Sequence, residues 1–104
     1  MAKTRKKRCA PHINIKAQVQ VLKALAHESR LRIVERLSRG DCTAGELTEL
    51  IGSDQSTVSK HLSLLRLNGI VDSHREGSSV VYTLLTPCVM SFFSCADGVL
   101  EERV

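Results

Sequence analysis

The apolar residues of this chain keep two rhythms: spacings of three and four up to residue 69, and an alternation of two beyond it. Ile15, Val19, Leu22, Leu25 and Ala26 recur at helical spacing and predict a first helix. Leu31, Ile33, Val34 and Leu37 predict a second, following His27 and ending at Gly40. Thr43-Ala-Gly-Glu46 then has the form of a capping box, in which Thr43 and Glu46 satisfy each other's backbone donors, and opens a third helix to Ile51. Gly52-Ser-Asp54 is a tight turn into a longer helix that stops at Asn68-Gly69. Two helices joined by so short a Gly-containing turn form a helix-turn-helix arrangement.

After Gly69 the period shortens. Ile70 to Arg75 and Val80 to Leu85 are strand-like and flank Glu76-Gly-Ser-Ser79, which predicts a hairpin with Val80, Tyr82 and Leu84 on one face. A hairpin directly after such a helix is a wing. Thr86-Pro87 then supplies an N-cap and a first-turn proline for a last helix. Its apolar side carries Cys88, Phe92, Cys95 and Val99, flanked by Val89, Phe93, Ala96 and Leu100. The expected fold is mainly α with a β-hairpin: a winged helix-turn-helix of five helices and a two-stranded wing. The first and last helices hold more apolar surface than so small a domain covers by itself. A homodimer through those two helices would bury it and present two reading heads.

The fourth helix has two faces of opposite purpose. Val58, Leu62 and Leu65, widened by Leu64 and Leu67, form its apolar stripe. Gln55, Ser56, Thr57, Ser59, Lys60 and Ser63 occupy the other side. A solvated helix face usually carries Glu and Lys four apart. Compact amides and hydroxyls near a helix start are what base edges in a major groove require. A merely small-polar surface would look the same in isolation.

Composition narrows the choice. At 104 residues this is one domain, with three aromatics and no apolar run near the about 18 residues of a membrane span. Stacking platforms for single strands are therefore disfavoured. No hydrophobic segment follows the basic start, so no secretory signal is expected, and a cytoplasmic setting with reduced thiols is. The net charge of +4 sits mostly in Lys3, Arg5, Lys6, Lys7 and Arg8; the remaining ten basic residues face eleven acidic ones, a balance of −1. Residues 1–12 are expected to be a flexible basic arm, suited to tracking phosphates or simply to solvation, with residues 13–104 as the folded domain. No nucleophile and base, and no phosphate-cradling Gly loop, stand at catalytic spacing, so an enzyme is not expected.

Leu22-Lys-Ala-Leu-Ala-His-Glu-Ser-Arg-Leu-Arg-Ile33, Gln55-Ser-Thr-Val-Ser-Lys-His-Leu62 and Leu65-Arg-Leu-Asn-Gly-Ile-Val71 with Arg75-Glu-Gly77 resemble the ArsR/SmtB repressors, over about Lys16 to Leu85. His27-Glu28-Ser29 departs from the family's usual Asp-Pro-Thr and changes a cap. The resemblance implies a homodimer on double-stranded operator DNA that lets go when an effector binds, often a thiophilic metal or metalloid. It places DNA contacts at Gln55, Ser56, Thr57, Ser59 and Lys60. Arg75 on the wing is the natural backbone contact, and His61, between apolar neighbours, reads as a half-buried structural residue. Two of the family's effector patterns are not met. Asp41-Cys-Thr-Ala-Gly45 has one Cys just upstream of the place where a Cys-x-Cys is expected, and no His follows His74 for a zinc-type site on the last helix.

That leaves Cys88 and Cys95 as candidate ligands, with Cys9 as a possible third. Seven helical residues rise by about 10.5 Å, whereas two thiolates on one metal are at most about 4.6 Å apart. One straight helix cannot form the site, so the expected arrangement joins Cys88 to the partner's Cys95 across an antiparallel dimer. Three thiolates suit As(III) or Sb(III), and soft donors also suit Cd, Pb or Zn. The same thiols would equally serve a redox or persulfide response, and a winged helix used only for protein association remains an alternative. Cys42 is expected to be a small buried residue.

Overall fold

The computed structural model describes residues 14–103, with side chains to Gly98. The basic arm and Cys9 lie outside that range, as do the side chains of Val99 and Leu100. The order is α1 (Ile15–Leu25), α2 (Glu28–Leu37), β1 (Cys42–Thr43), α3 (Ala44–Ile51), α4 (Gln55–Leu67), β2 (Val71–Glu76), β3 (Ser79–Leu84) and α5 (Val89–Arg103). All five expected helices are present.

Local chemistry sets their ends. Asn14 caps α1 by accepting the Ala17 N–H, and Thr43 and Glu46 form the expected capping box at 3.1 and 2.9 Å. At the end of α4 the Gly69 N–H donates to Arg66 and the Ile70 N–H to Leu65, with Gly69 at φ 74°. That pair of bonds is a Schellman stop, which needs a left-handed residue and drives the following apolar side chain inward. Ile70 is accordingly fully buried, so the helix end also anchors the sheet.

The sheet differs from expectation. Three antiparallel strands lie in the order β1-β3-β2, because Cys42 and Thr43 pair with Tyr82 and Val81. The two-stranded wing thus gains a third short strand at its base, too brief for any periodicity to reveal. Register puts Val71, Ser73 and Arg75 opposite Leu84, Tyr82 and Val80, so the last three do share a face. Val81, opposite His74 on the other face, is also buried.

Two further expectations are corrected. The last helix opens at Val89, not at Pro87; Thr86, Pro87 and Cys88 carbonyls accept from Val89, Met90 and Ser91, a tighter i to i+3 entry turn. Cys88 therefore precedes the helix. Leu31 and Leu67 do not join the core, with Leu67 83% exposed at the last position of α4. The stripe of α4 is narrower than its sequence allows, because Leu62 and Leu65 already fill the contact.

The core is Ile33, Val34, Leu47, Val58, Leu62, Leu65, Ile70 and Val71, all fully buried, with Ala24, Leu25, Leu37, Cys42 and Leu84 around them. Every element from α1 to β3 contributes. Leu65→Ala should cost about 2–5 kcal/mol in urea unfolding through the cavity it leaves. Leu67→Ala on the same helix should stay within about 0.5 kcal/mol. Equal costs would mean the stripe has been misplaced.

Candidate nucleic-acid interface

Burial of Val58, Leu62 and Leu65 leaves α4 no choice about which side faces outward. Gln55, Ser56, Ser59, Lys60 and Ser63 are exposed together on that side, and Thr57 is half-buried at its edge. Five of the six sequence-predicted contact residues thus lie within the first two turns of one helix. Arg75, the sixth, is exposed near the end of β2, on the wing.

The start of α4 is held by Asp54. Its carboxylate accepts the Thr57 N–H at 3.3 Å, the Thr57 hydroxyl at 2.6 Å and the Ser56 hydroxyl. These bonds bring its pKa down to about 2, the two side-chain hydroxyls being the largest causes. Asp54 is thus a carboxylate at any physiological pH. Sequence reasoning assigned it the cap but missed its grip on two of the predicted contact residues. The Asp54-x-Ser-Thr spacing is the signal that could have shown it.

The wing carries its own charge pattern. Arg66, in the last turn of α4, lies 3.7 Å from Asp72 on β2, an exposed ion pair that ties the helix end to the hairpin. His74 Nε2 and the Glu76 carboxylate are 3.1 Å apart. Gly77, at φ 63°, makes the two-residue turn that brings Ser79 back opposite Glu76. Arg75, between them in sequence, points to the opposite face of β2 and is exposed.

Behind the polar face, His61 is half-buried and its ring lies 4.5 Å from that of His27, tilted by 53°. His27 is the N-cap of α2, its Nδ1 accepting the Ser29 N–H at 3.1 Å. Burial, then the neighbouring His27 and Arg30, push the His61 pKa below the usual imidazole value. The His61 ring therefore favours the neutral form, because charge is poorly solvated there. The contact joins the start of α2 to the middle of α4, and nothing in the spacing of the sequence announced it.

The thiols divide into two kinds. Cys42 is buried in the core, and burial first, then its bond to the Glu46 carboxylate, push its pKa up. That is an inert thiol. Cys88 and Cys95 are exposed, one in the entry turn of α5 and the other two turns along it. Among the described residues no three of His, Cys, Asp and Glu come together in one chain as a metal cluster. Ile15, Val19 and Leu22 on α1 and Phe92 on α5 are exposed, while Val89, Met90 and Phe93 pack partly against the core.

Three helices, a short turn into an outward-facing polar helix and a hairpin beside it define a winged helix-turn-helix domain. A family model described as a helix-turn-helix domain matches residues 25–74. An uncharacterised HTH-type transcriptional regulator of Mycobacterium tuberculosis, Rv0081, is 34% identical over 88 residues, covering 84% of this chain and 77% of its own. Its crystal structure superposes with a TM-score of 0.74 at 32% identity, over 85% of this chain and 89% of that one. The homodimeric winged helix-turn-helix DNA-binding domain of Mb0332 from Mycobacterium bovis, a possible ArsR-family regulator, gives 0.73 at 28% identity over 86% and 82%. The transcriptional repressor SdpR of Bacillus subtilis is 33% identical over 66 residues, 64% of this chain and 73% of its own. The chain belongs to the ArsR/SmtB family of winged-helix transcriptional regulators.

Because the folded-state pKa of His61 is depressed, its contribution to stability is complete above the ordinary imidazole value of about 6.5. It is lost as pH falls below that value towards the folded-state pKa. The melting temperature should therefore drop between pH 7.5 and 5.5, and His61→Gln should drop less over the same range. An identical pH profile in the variant would remove His61 as the cause.

Proposed function

We propose that the protein is a cytoplasmic, homodimeric repressor that binds operator DNA and releases it when a thiophilic metal or metalloid reaches its cysteines. The observation that carries the DNA half is the outward face of α4. Short amides and hydroxyls with one lysine are held against the core by Val58, Leu62 and Leu65, at the position where winged helices meet the major groove. Gln55, Ser56, Thr57, Ser59 and Lys60 make the base-side contacts, and Arg75 takes a backbone phosphate. No described helix is long and apolar enough to cross a membrane. Seated on a promoter, such a dimer blocks other proteins from the same DNA, which makes repression its default output.

The dimer would form through α1 and α5. Ile15, Val19, Leu22 and Phe92 are exposed large apolar side chains on those two helices, which one chain alone leaves in water. A homodimeric relative supports this reading.

Cys88 and Cys95 are the effector ligands in this proposal, with Cys9 as a third. Their exposure fits entry of an ion, and their softness suits arsenite or antimonite, or Cd, Pb or Zn. The bound ion would supply a bridge between thiolates of two chains. The protein's part is to place those thiolates at the edge of the helices whose spacing sets the separation of two α4 faces. An ion that bridges one spacing better than another lowers operator affinity by the same free energy, about 1.4 kcal/mol per tenfold. The two exposed thiols among the described residues also suffice for a disulfide or persulfide response, which needs no third donor; this is the second reading.

Cys88→Ser and Cys95→Ser should each bind promoter DNA as the wild type does in gel shifts, with steep salt dependence, and fail to release it with arsenite, Cd(II) or Zn(II). Release by oxidant alone would favour the redox reading. Unchanged metal release in both variants would remove the site. Absence of any salt-dependent, sequence-preferring shift would leave only a protein-association domain.

A further inference from the structure

Hydroxyl groups are ordinarily ambiguous readers of DNA, because each both donates and accepts. On α4 that ambiguity is removed. An ionised carboxylate only accepts, and Asp54 receives the Ser56 hydroxyl on Oδ2 and the Thr57 hydroxyl on Oδ1 at 2.6 Å. Each hydroxyl has one proton, and both protons point inward to Asp54. What Ser56 presents outward, and Thr57 from its half-buried place at the edge, is lone pairs alone.

Asp54 has a second effect on the same end of the helix. Its charge takes up the positive pole of the helix dipole, and its Oδ2 occupies the Thr57 N–H at 3.3 Å. A backbone phosphate would meet a negative charge there instead of open amides.

We infer that the start of α4 reads hydrogen-bond donors on base edges: Ser56, backed by Thr57, accepts from the amino group of adenine or cytosine, and Asp54 is the positioning residue that sets this polarity. The inference rests on the DNA-binding reading above. In the major groove the only donors are adenine N6 and cytosine N4, whereas guanine N7 and O6 and thymine O4 accept. A guanine or thymine facing Ser56 would set lone pair against lone pair unless the hydroxyl abandoned Asp54. Lys60, about one turn further along α4, only donates and so reads acceptors.

The test is selection of duplexes from a pool with a randomised core, using the full chain, followed by sequencing. The wild type should enrich sites in which one step per half-site holds adenine or cytosine over guanine or thymine by about tenfold, in line with the worth of one base contact. Ser56→Ala should flatten the preference at that step and leave the others. Asp54→Asn keeps a competent cap but turns an amide donor towards the hydroxyls, so the preference at the same step should weaken or move towards guanine or thymine. Circular dichroism checks that each variant is folded. An independent arm uses only the wild type: replacing the selected adenine by purine, or the cytosine by 2-pyrimidinone, deletes the amino group and should weaken binding about tenfold. Enrichment of guanine or thymine at the step sensitive to Ser56, or no loss with the base lacking its amino group, overturns the inference while DNA binding stands. Failure of the wild type to enrich any sequence overturns the DNA-binding reading and this inference with it.

Discussion

Burial of one side of α4 against the core is the constraint from which the rest follows. Val58, Leu62 and Leu65 are almost wholly removed from water, each contributing on the order of 1.5–3 kcal/mol. Turning the helix by even a quarter revolution would exchange that burial for Ser59, Lys60 or Ser63, whose polar groups have no partners inside. The outward polar face is thus as firmly set as the core itself. Asp54 at one end and the Gly69 stop at the other fix where along its axis the helix begins and ceases. A reading head needs all three: rotation from the core, translation from the caps, and a hinge-free exit into the sheet through buried Ile70.

How much of this the sequence disclosed depends on the range of the interactions. The capping box at Thr43 and Glu46, the Asp54 cap and the Asn68-Gly69 stop are local, made between residues a few positions apart, and residue type alone exposes them. The stripe of α4 was legible for the same reason, although its width was not. Whether Leu67 is covered depends on what other elements bring to the far end of the helix, and among the described residues nothing covers it. Most of the missed features are non-local, the hold of Asp54 on Ser56 and Thr57 and the entry turn of α5 being the local ones. Cys42 and Thr43 become a strand only because Tyr82 and Val81 arrive beside them, some forty positions on. His27 and His61 meet because α2 and α4 pack together, and no periodicity in either helix encodes the other. The resemblance to ArsR/SmtB proteins supplied the global arrangement that local signals lack, while it could not say how Asp54 would orient two hydroxyls.

The cysteines show the same division. Cys42 reads as a small buried residue from its apolar context, and its environment in the core, with the thiol bonded to Glu46 and its ionisation opposed by burial, makes it unsuited to a soft ion. Cys88 and Cys95 are exposed instead. Cys88 lies in the entry turn of α5 and Cys95 on the helix itself, where Val89, Met90 and Phe93 are only partly packed and Phe92 is turned outward.

In the proposed repressor a response at α5 must still reach α4, and α1 offers a route. α1 is divided along its length: Ile15, Val19 and Leu22 are exposed, whereas Ala24 and Leu25 are buried in the same core as Leu62 and Leu65. α1 packs on both α2 and α4, so its buried end is rigidly joined to the reading helix. In the proposed dimer the exposed half of α1 and the face of α5 belong to the interface. A shift there moves the lever at one end and the polar face of α4 at the other, with no need for the core to repack. Close packing of Ala24 and Leu25 makes the transmission rigid, because an interior without voids displaces as a body before it deforms. The apolar surplus on α1 and α5 would then be the part of the proposed dimer through which a thiol on α5 changes what α4 can hold.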